Sequence, residues 1–208
     1  MKTGASRFFR RFIFLAAAGS LAVVLTACTG RGGGYLPPDG VAFTGQAPFG
    51  FDFSCEDSGG LNPPTGKLAI QLSYTDHGSN PIGSSFSIHG IADTIDPVLE
   101  SQICAGQNPP PGGNELIFLG RYSLTSSAPA LFPSTCPTRE TTTSPLCRFE
   151  VIVQDNDRNL APSAGDSFSI KLTTITDPTV TDFGSLVPPV VFYARAGLLG
   201  GGNVTVDG

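Results

Sequence analysis

The thiols carry the most specific chemistry in this chain. Residues 25–28 read Leu-Thr-Ala-Cys, a branched apolar residue and two small ones ahead of a cysteine, which is the pattern of a lipobox. Small residues are required there because the processing peptidase must bring the backbone close to its catalytic groups, and the Cys28 thiol is the group that takes diacylglycerol before cleavage. The preceding segment fits this use. Lys2, Arg7, Arg10 and Arg11 form a basic start, and no acidic residue occurs before Asp39, the charge polarity of an export signal. The apolar stretch over residues 12–24 is too short for a permanent span, which needs roughly 20 residues. Residues 1–27 are therefore expected to be a cleaved lipoprotein signal peptide and Cys28 the lipidated N-terminus of the mature chain. Each buried acyl methylene contributes about 0.8 kcal/mol and stable anchoring takes more than one chain, which diacylation, with a further fatty acid such as palmitate, would supply. Thr29, rather than Asp, follows the cysteine, which favours the outer membrane in a host that has two.

Four cysteines remain: Cys55, Cys104, Cys136 and Cys147. Export makes two disulfides the expected state. Of the three pairings, Cys55–Cys104 and Cys136–Cys147 are preferred, the first joining the ends of two predicted strands and the second closing a Thr/Pro-rich excursion. A zinc site is disfavoured, because the four form no Cys-x-x-Cys pairs and the only histidines are His77 and His89.

Other polar groups suggest weaker chemistry. Asp155, Asp157 and Asn159 place side-chain oxygens at alternate positions and Asp166 stands twelfth from Asp155, so they are weak calcium candidates. An EF-hand loop, however, wants Gly at its sixth position, where Leu160 stands. A polar turn closed by Asx-type hydrogen bonds accounts for the same residues. Gly165-Asp166-Ser167 resembles the nucleophile block of GDS-type esterases, but both histidines precede the serine and Ser167 lies inside an alternating Phe168/Ile170/Leu172 strand, not on a strand-to-helix turn. Asp76-His77 could hold a catalytic tautomer, yet neighbours on a turn point apart, and His89 falls on the polar face of a strand. No phosphate-binding loop is present, and no cofactor or catalytic residue is assigned.

The elements that must position these groups are strands. Gly and Pro number 26 and 18, Trp is absent, and Met occurs once; no segment repeats apolar residues at helical spacing. Phe49, Phe51, Phe53 and Cys55 alternate with Gly50, Asp52 and Ser54, and Leu68, Ile70, Leu72 and Tyr74 alternate with Ala69, Gln71 and Ser73. The same period marks Phe86 and Ile88, then Leu116 and Phe118, then Phe149, Val151 and Val153, then Phe168, Ile170 and Leu172. A last strand pair is expected over 190–196 and 203–206, joined by a glycine turn. Residues 29–38, rich in Gly, read as a flexible tether, so that 28–38 links the membrane to a domain over 39–208. Long loops are expected over 107–114, 125–144 and 177–189. The architecture predicted is all-β, an antiparallel β-sandwich of about 8–9 short, disulfide-stapled strands.

Several of these segments, in this order, resemble a glycine-rich all-β module found at the ends of secreted bacterial proteins, the post-COAP-1 domain. They are Phe49-Gly50-Phe51, Tyr74-Thr75-Asp76-His77-Gly78, Ile88-His89-Gly90, Val151-Ile152-Val153-Gln154-Asp155-Asn156, residues 165–172 and residues 199–204, together covering most of 47–206. The chain departs from that pattern in longer insertions around Cys136 and Cys147 and over 174–189. The resemblance implies a compact β-domain and no particular reaction.

Removing residues 1–27 leaves eight basic residues against 17 acidic, a net charge of −9, with Lys67 and Lys171 the only lysines. A nucleic-acid partner, which needs clustered cations, is excluded on that ground. The expected function is a non-enzymatic, lipid-anchored structural or interaction module of the cell envelope, facing the extracytoplasmic side, its partners the membrane and an envelope protein or glycan. A glycan-binding module is the alternative, with Tyr122, Phe183 or Tyr193 lining a groove. A hydrolase is a distant third.

Overall fold

The computed structural model describes residues 28–56, 67–92, 113–136, 147–156, 165–174 and 190–207. Nine strands account for most of them: β1 (Cys28–Leu36), β2 (Ala47–Glu56), β3 (Lys67–Asp76), β4 (Phe86–Ala92), β5 (Glu115–Leu124), β6 (Cys147–Gln154), β7 (Ser167–Thr174), β8 (Val190–Leu198) and β9 (Gly201–Asp207). No helix occurs among the described residues. The strands form one antiparallel sheet in the order β8-β7-β6-β5-β4-β3-β2-β1-β9. The all-β antiparallel prediction holds, with the nine strands in one curled sheet.

Curling is visible in the aromatic contacts. Phe49 on β2 stacks on Phe168 of β7 with ring centroids 3.8 Å apart, and Phe51 meets Phe118 of β5 at 5.3 Å, although both pairs are separated by several strands in the sheet. The alternating apolar residues of β2, β3, β6 and β7 all point into this core, with Phe53, Leu72, Phe149, Val151, Ile170 and Leu172 almost fully buried. Removal of so much apolar surface from water, at about 25 cal/mol per Å², is the main force that closes the curl.

The glycine segment is not a tether. β1 lies inside the sheet, paired with β2 from Cys28 to Leu36 on one side and with β9 from Thr29 to Tyr35 on the other. The physical reason is a set of glycine–aromatic cross-strand pairs: Gly30, Gly32 and Gly34 stand opposite Phe53, Phe51 and Phe49. The rings cover strand positions that bring no side chain of their own, an arrangement known to rescue glycine in sheets. On the other side the absence of Cβ atoms lets β9 approach. A Cβ on Gly34 would come within 2.4 Å of the Gly201 carbonyl oxygen, and Gly202 has φ of +109° with room for no Cβ beside the Gly33 carbonyl.

The final two strands also differ from expectation, because β8 and β9 are not hydrogen-bonded to each other. The chain leaves β8 at Leu198, passes through Leu199 and Gly200, and pairs instead with β1. Tyr35 fixes the crossing: its hydroxyl donates to the Gly200 carbonyl at 2.7 Å, and the Gly200 N–H donates to the Tyr35 carbonyl at 3.0 Å.

Cys136 and Cys147 are joined, with sulfurs 1.99 Å apart, as expected. Closing so short a loop contributes about 3 kcal/mol on chain-entropy grounds. Cys55 is also oxidised; its expected partner, Cys104, lies outside the described residues.

Candidate functional site

The backbone of Cys28 opens β1 and stands opposite Cys55 of β2, while Thr29 stands opposite Asp207 of β9. The residue expected to carry lipid is thus the head of an interior strand. Residues 1–27 lie outside the described residues. Among those described, no helix is long and apolar enough to cross a membrane.

A buried polar cluster lies where β8 meets the loops at the far end of β1 and β3. Asp76, the last residue of β3, is fully buried, and its Oδ2 sits 3.1 Å from Nη1 of Arg195 on β8. Tyr193 donates its hydroxyl proton to the same carboxylate at 2.8 Å, and Tyr74 in turn contacts the Tyr193 hydroxyl. Arg195 Nη2 donates to the carbonyls of Pro37 and Gly45 at 2.9 and 2.8 Å, and the guanidinium lies 4.5 Å from the centre of the Phe43 ring. A buried charge persists only when paired and hydrogen-bonded, and here both conditions are met. Burial pushes the hydroxyl of Tyr193 far above the usual tyrosine range, helped by the neighbouring Tyr74 and the Asp76 charge, and burial raises Tyr74 as well.

This cluster redefines several candidates. Asp76 holds Arg195 and Tyr193, and its second oxygen accepts the Gly78 N–H at 3.2 Å, whereas His77 is exposed and its backbone N–H donates to the Gln46 carbonyl. The Asp76-His77 pair is therefore a structural junction. Tyr193 and Tyr122, expected as exposed groove aromatics, are instead core residues at 1% and 3% exposure. Both sit on inward-facing strand positions whose hydroxyls find partners inside: Tyr122 is in reach of Cys136 Sγ and the Thr173 carbonyl. Phe183 lies outside the described residues.

The calcium candidates divide. Asp157 and Asn159 lie outside the described residues. Asp166 accepts the backbone N–H of Val204 at 2.9 Å and that of Asn156 at 3.0 Å, and Asp155 accepts the N–H of Val206 at 3.1 Å. These two buried carboxylates thus take the place of a tenth strand along the free edge of β9. No cluster of three metal-ligating side chains occurs among the described residues. Ser167 donates to Gln154 Oε1 at 3.1 Å, a cross-strand contact with its register partner.

On the outer face, two shallow depressions of about 380 and 250 Å³ adjoin along β2, β3 and β4 and share Asp52 and Gln71; His89 borders the smaller one. Their walls mix polar groups such as Asp52, Ser54 and Gln71 with apolar ones such as Ala69 and Ile91, and among the described residues no charged or nucleophilic cluster converges on either.

No family model matches the chain. No curated protein or solved structure matches it either.

Arg195 is the residue that the sequence reading missed. Its signal was positional: an arginine at an inward step of an apolar strand, two residues after Tyr193, must have a buried acid as partner, and Asp76 at the end of the Leu68–Tyr74 alternation was the matching site.

Proposed function

We propose that this chain is a lipid-anchored, non-enzymatic module of the bacterial cell envelope, facing the extracytoplasmic side, whose role is structural or one of interaction with another envelope component. The observation that carries the reading is the Leu25-Thr26-Ala27-Cys28 motif behind a basic, acid-free start, with Cys28 at the first residue of the folded sheet. The internal chemistry is consistent with a scaffold. The buried ionisable groups Asp76, Arg195, Asp155 and Asp166 hold strands and loops together, and the Cys136–Cys147 disulfide suits an oxidising compartment.

Kinship with the post-COAP-1 module belongs to the same proposal. It is supported by where the shared segments fall: Tyr74, Asp76 and Gly78 at the buried junction, Asp155 and Asp166 on the β9 edge, and Gly202 at the β1–β9 approach.

The test is metabolic labelling with a clickable fatty acid in a bacterial host. The full chain is expected to carry label in the membrane fraction, and Cys28→Ala to lose both label and processing. Label retained on Cys28→Ala overturns the reading.

A further inference from the structure

The seating of β1 fixes which end of the domain meets the membrane, and this inference rests on the lipid anchor proposed above. A flexible linker of some ten residues would let a domain swing up to about 35 Å from the surface. Here no linker exists. β1 starts at Cys28, pairs with β2 from Cys28 to Leu36, and pairs with β9 from Thr29 to Tyr35. Lifting the first residues away from the sheet would break both ladders at once. We infer that the sheet rim formed by the Cys28 end of β1, the Cys55 end of β2 and the Asp207 end of β9 rests against the lipid headgroups, with the strands rising from the bilayer.

Nine strand residues at about 3.3 Å per step span roughly 26 Å. The opposite rim is therefore held clear of the membrane. That rim carries the β1–β2 loop, in which the Asp39 carboxylate accepts the N–H groups of Val41, Ala42 and Phe43 and Val41 is 91% exposed. It also carries the β3–β4 turn and the segment around the exposed Leu131. The occupant of the near rim is the phospholipid headgroup layer that receives the anchor, and the far rim is the one presented to other molecules of the envelope.

The absence of tryptophan makes single-tryptophan reporters clean. The mature lipoprotein carrying either Asp207→Trp or Val41→Trp would be reconstituted in phosphatidylcholine vesicles containing a headgroup-nitroxide lipid. The expected result is loss of most of the Asp207→Trp emission and little change for Val41→Trp. A Gly/Ser linker inserted between Cys28 and Thr29 should abolish that difference. Equal quenching of the two reporters, or stronger quenching of Val41→Trp, in protein that co-floats with vesicles overturns the orientation while leaving the anchor intact. A difference that survives the linker overturns the missing tether as its cause. Protein that does not co-float overturns the anchor itself, and the orientation with it.

Discussion

At one margin of the sheet, β9 offers backbone N–H groups and two carboxylates receive them; at the other, β8 reaches the β1–β2 loop through a guanidinium that donates to its carbonyls. Asp155 and Asp166 take the N–H groups of Val206 and Val204, while Arg195 holds Pro37 and Gly45. Each margin uses the charge complementary to the backbone groups it must satisfy. They differ in what stands behind the charge. At the β9 margin Asp166 accepts two backbone N–H groups, whereas Arg195 is also the counter-ion of buried Asp76, so its loss strands a second charge.

That difference predicts the largest effect at the β8 margin. Arg195→Met, which keeps most of the side-chain volume, should destabilise the protein by about 3–5 kcal/mol because Asp76 is left buried and unpaired. Denaturant midpoints would measure this, and Asp76→Asn in the same chain should restore part of it. A loss no greater than that of a surface substitution would break the comparison.

Asp166→Ala should cost less, about 2–3 kcal/mol, through the charge-assisted bonds to Val204 and Asn156 that it removes. Hydrogen exchange should report faster exchange at Val204 before any change near Arg195. Simultaneous loosening of both margins would mean that they are one cooperative unit.

Alkali should separate the margins without mutation. Burial raises Tyr193, Tyr74 and Tyr122 above the ordinary value of 10.0. A group whose folded pKa is raised contributes stability that is fully present below its unfolded value and is lost as pH rises through the folded one. Stability should therefore fall above pH 10, by about 1.4 kcal/mol per pH unit for each tyrosine that only the unfolded chain ionises. Tyrosinate absorbance should appear together with unfolding, and Tyr193→Phe should reduce the slope. The smallest effect belongs to the exposed Asp39, held below its usual 3.8 first by the Phe43 N–H and then by that of Val41. Its contribution is present above pH 3.8 and is lost as pH falls through the lowered value. A folded-state NMR titration should find that midpoint below 3.8, and one at or above it would remove the turn's role.

How much of this was legible in the sequence follows from what each strand brings to the core. The strands β2, β3, β6 and β7 announce themselves by period two, since alternate residues are inside. β1 brings glycines, so it has no hydrophobic signal and reads as a linker; its partner strand carries the information, because phenylalanines at every second position of β2 need something flat beside them. Likewise Asp155 and Asp166 look like metal ligands because oxygen donors clustered in sequence do not reveal whether a cation or a neighbouring backbone N–H receives them. The buried roles of Tyr122 and Tyr193 were hidden by their hydroxyls, which suggest solvent until a partner inside is known. The Asp76–Arg195 pair joins residues far apart in sequence, and local pattern does not disclose such a partnership.

The neighbour relation of β1 and β9 also orders events in time. The first strand of the sheet is paired with the last, so its outer ladder cannot form until residues 201–207 have been synthesised and are free to pair. Contacts of such long sequence separation carry a large loop-closure cost and slow folding. Until then β1 has only β2 as a partner, and under the lipid anchor proposed above that interval is when modification of Cys28 would precede the locking of the strand.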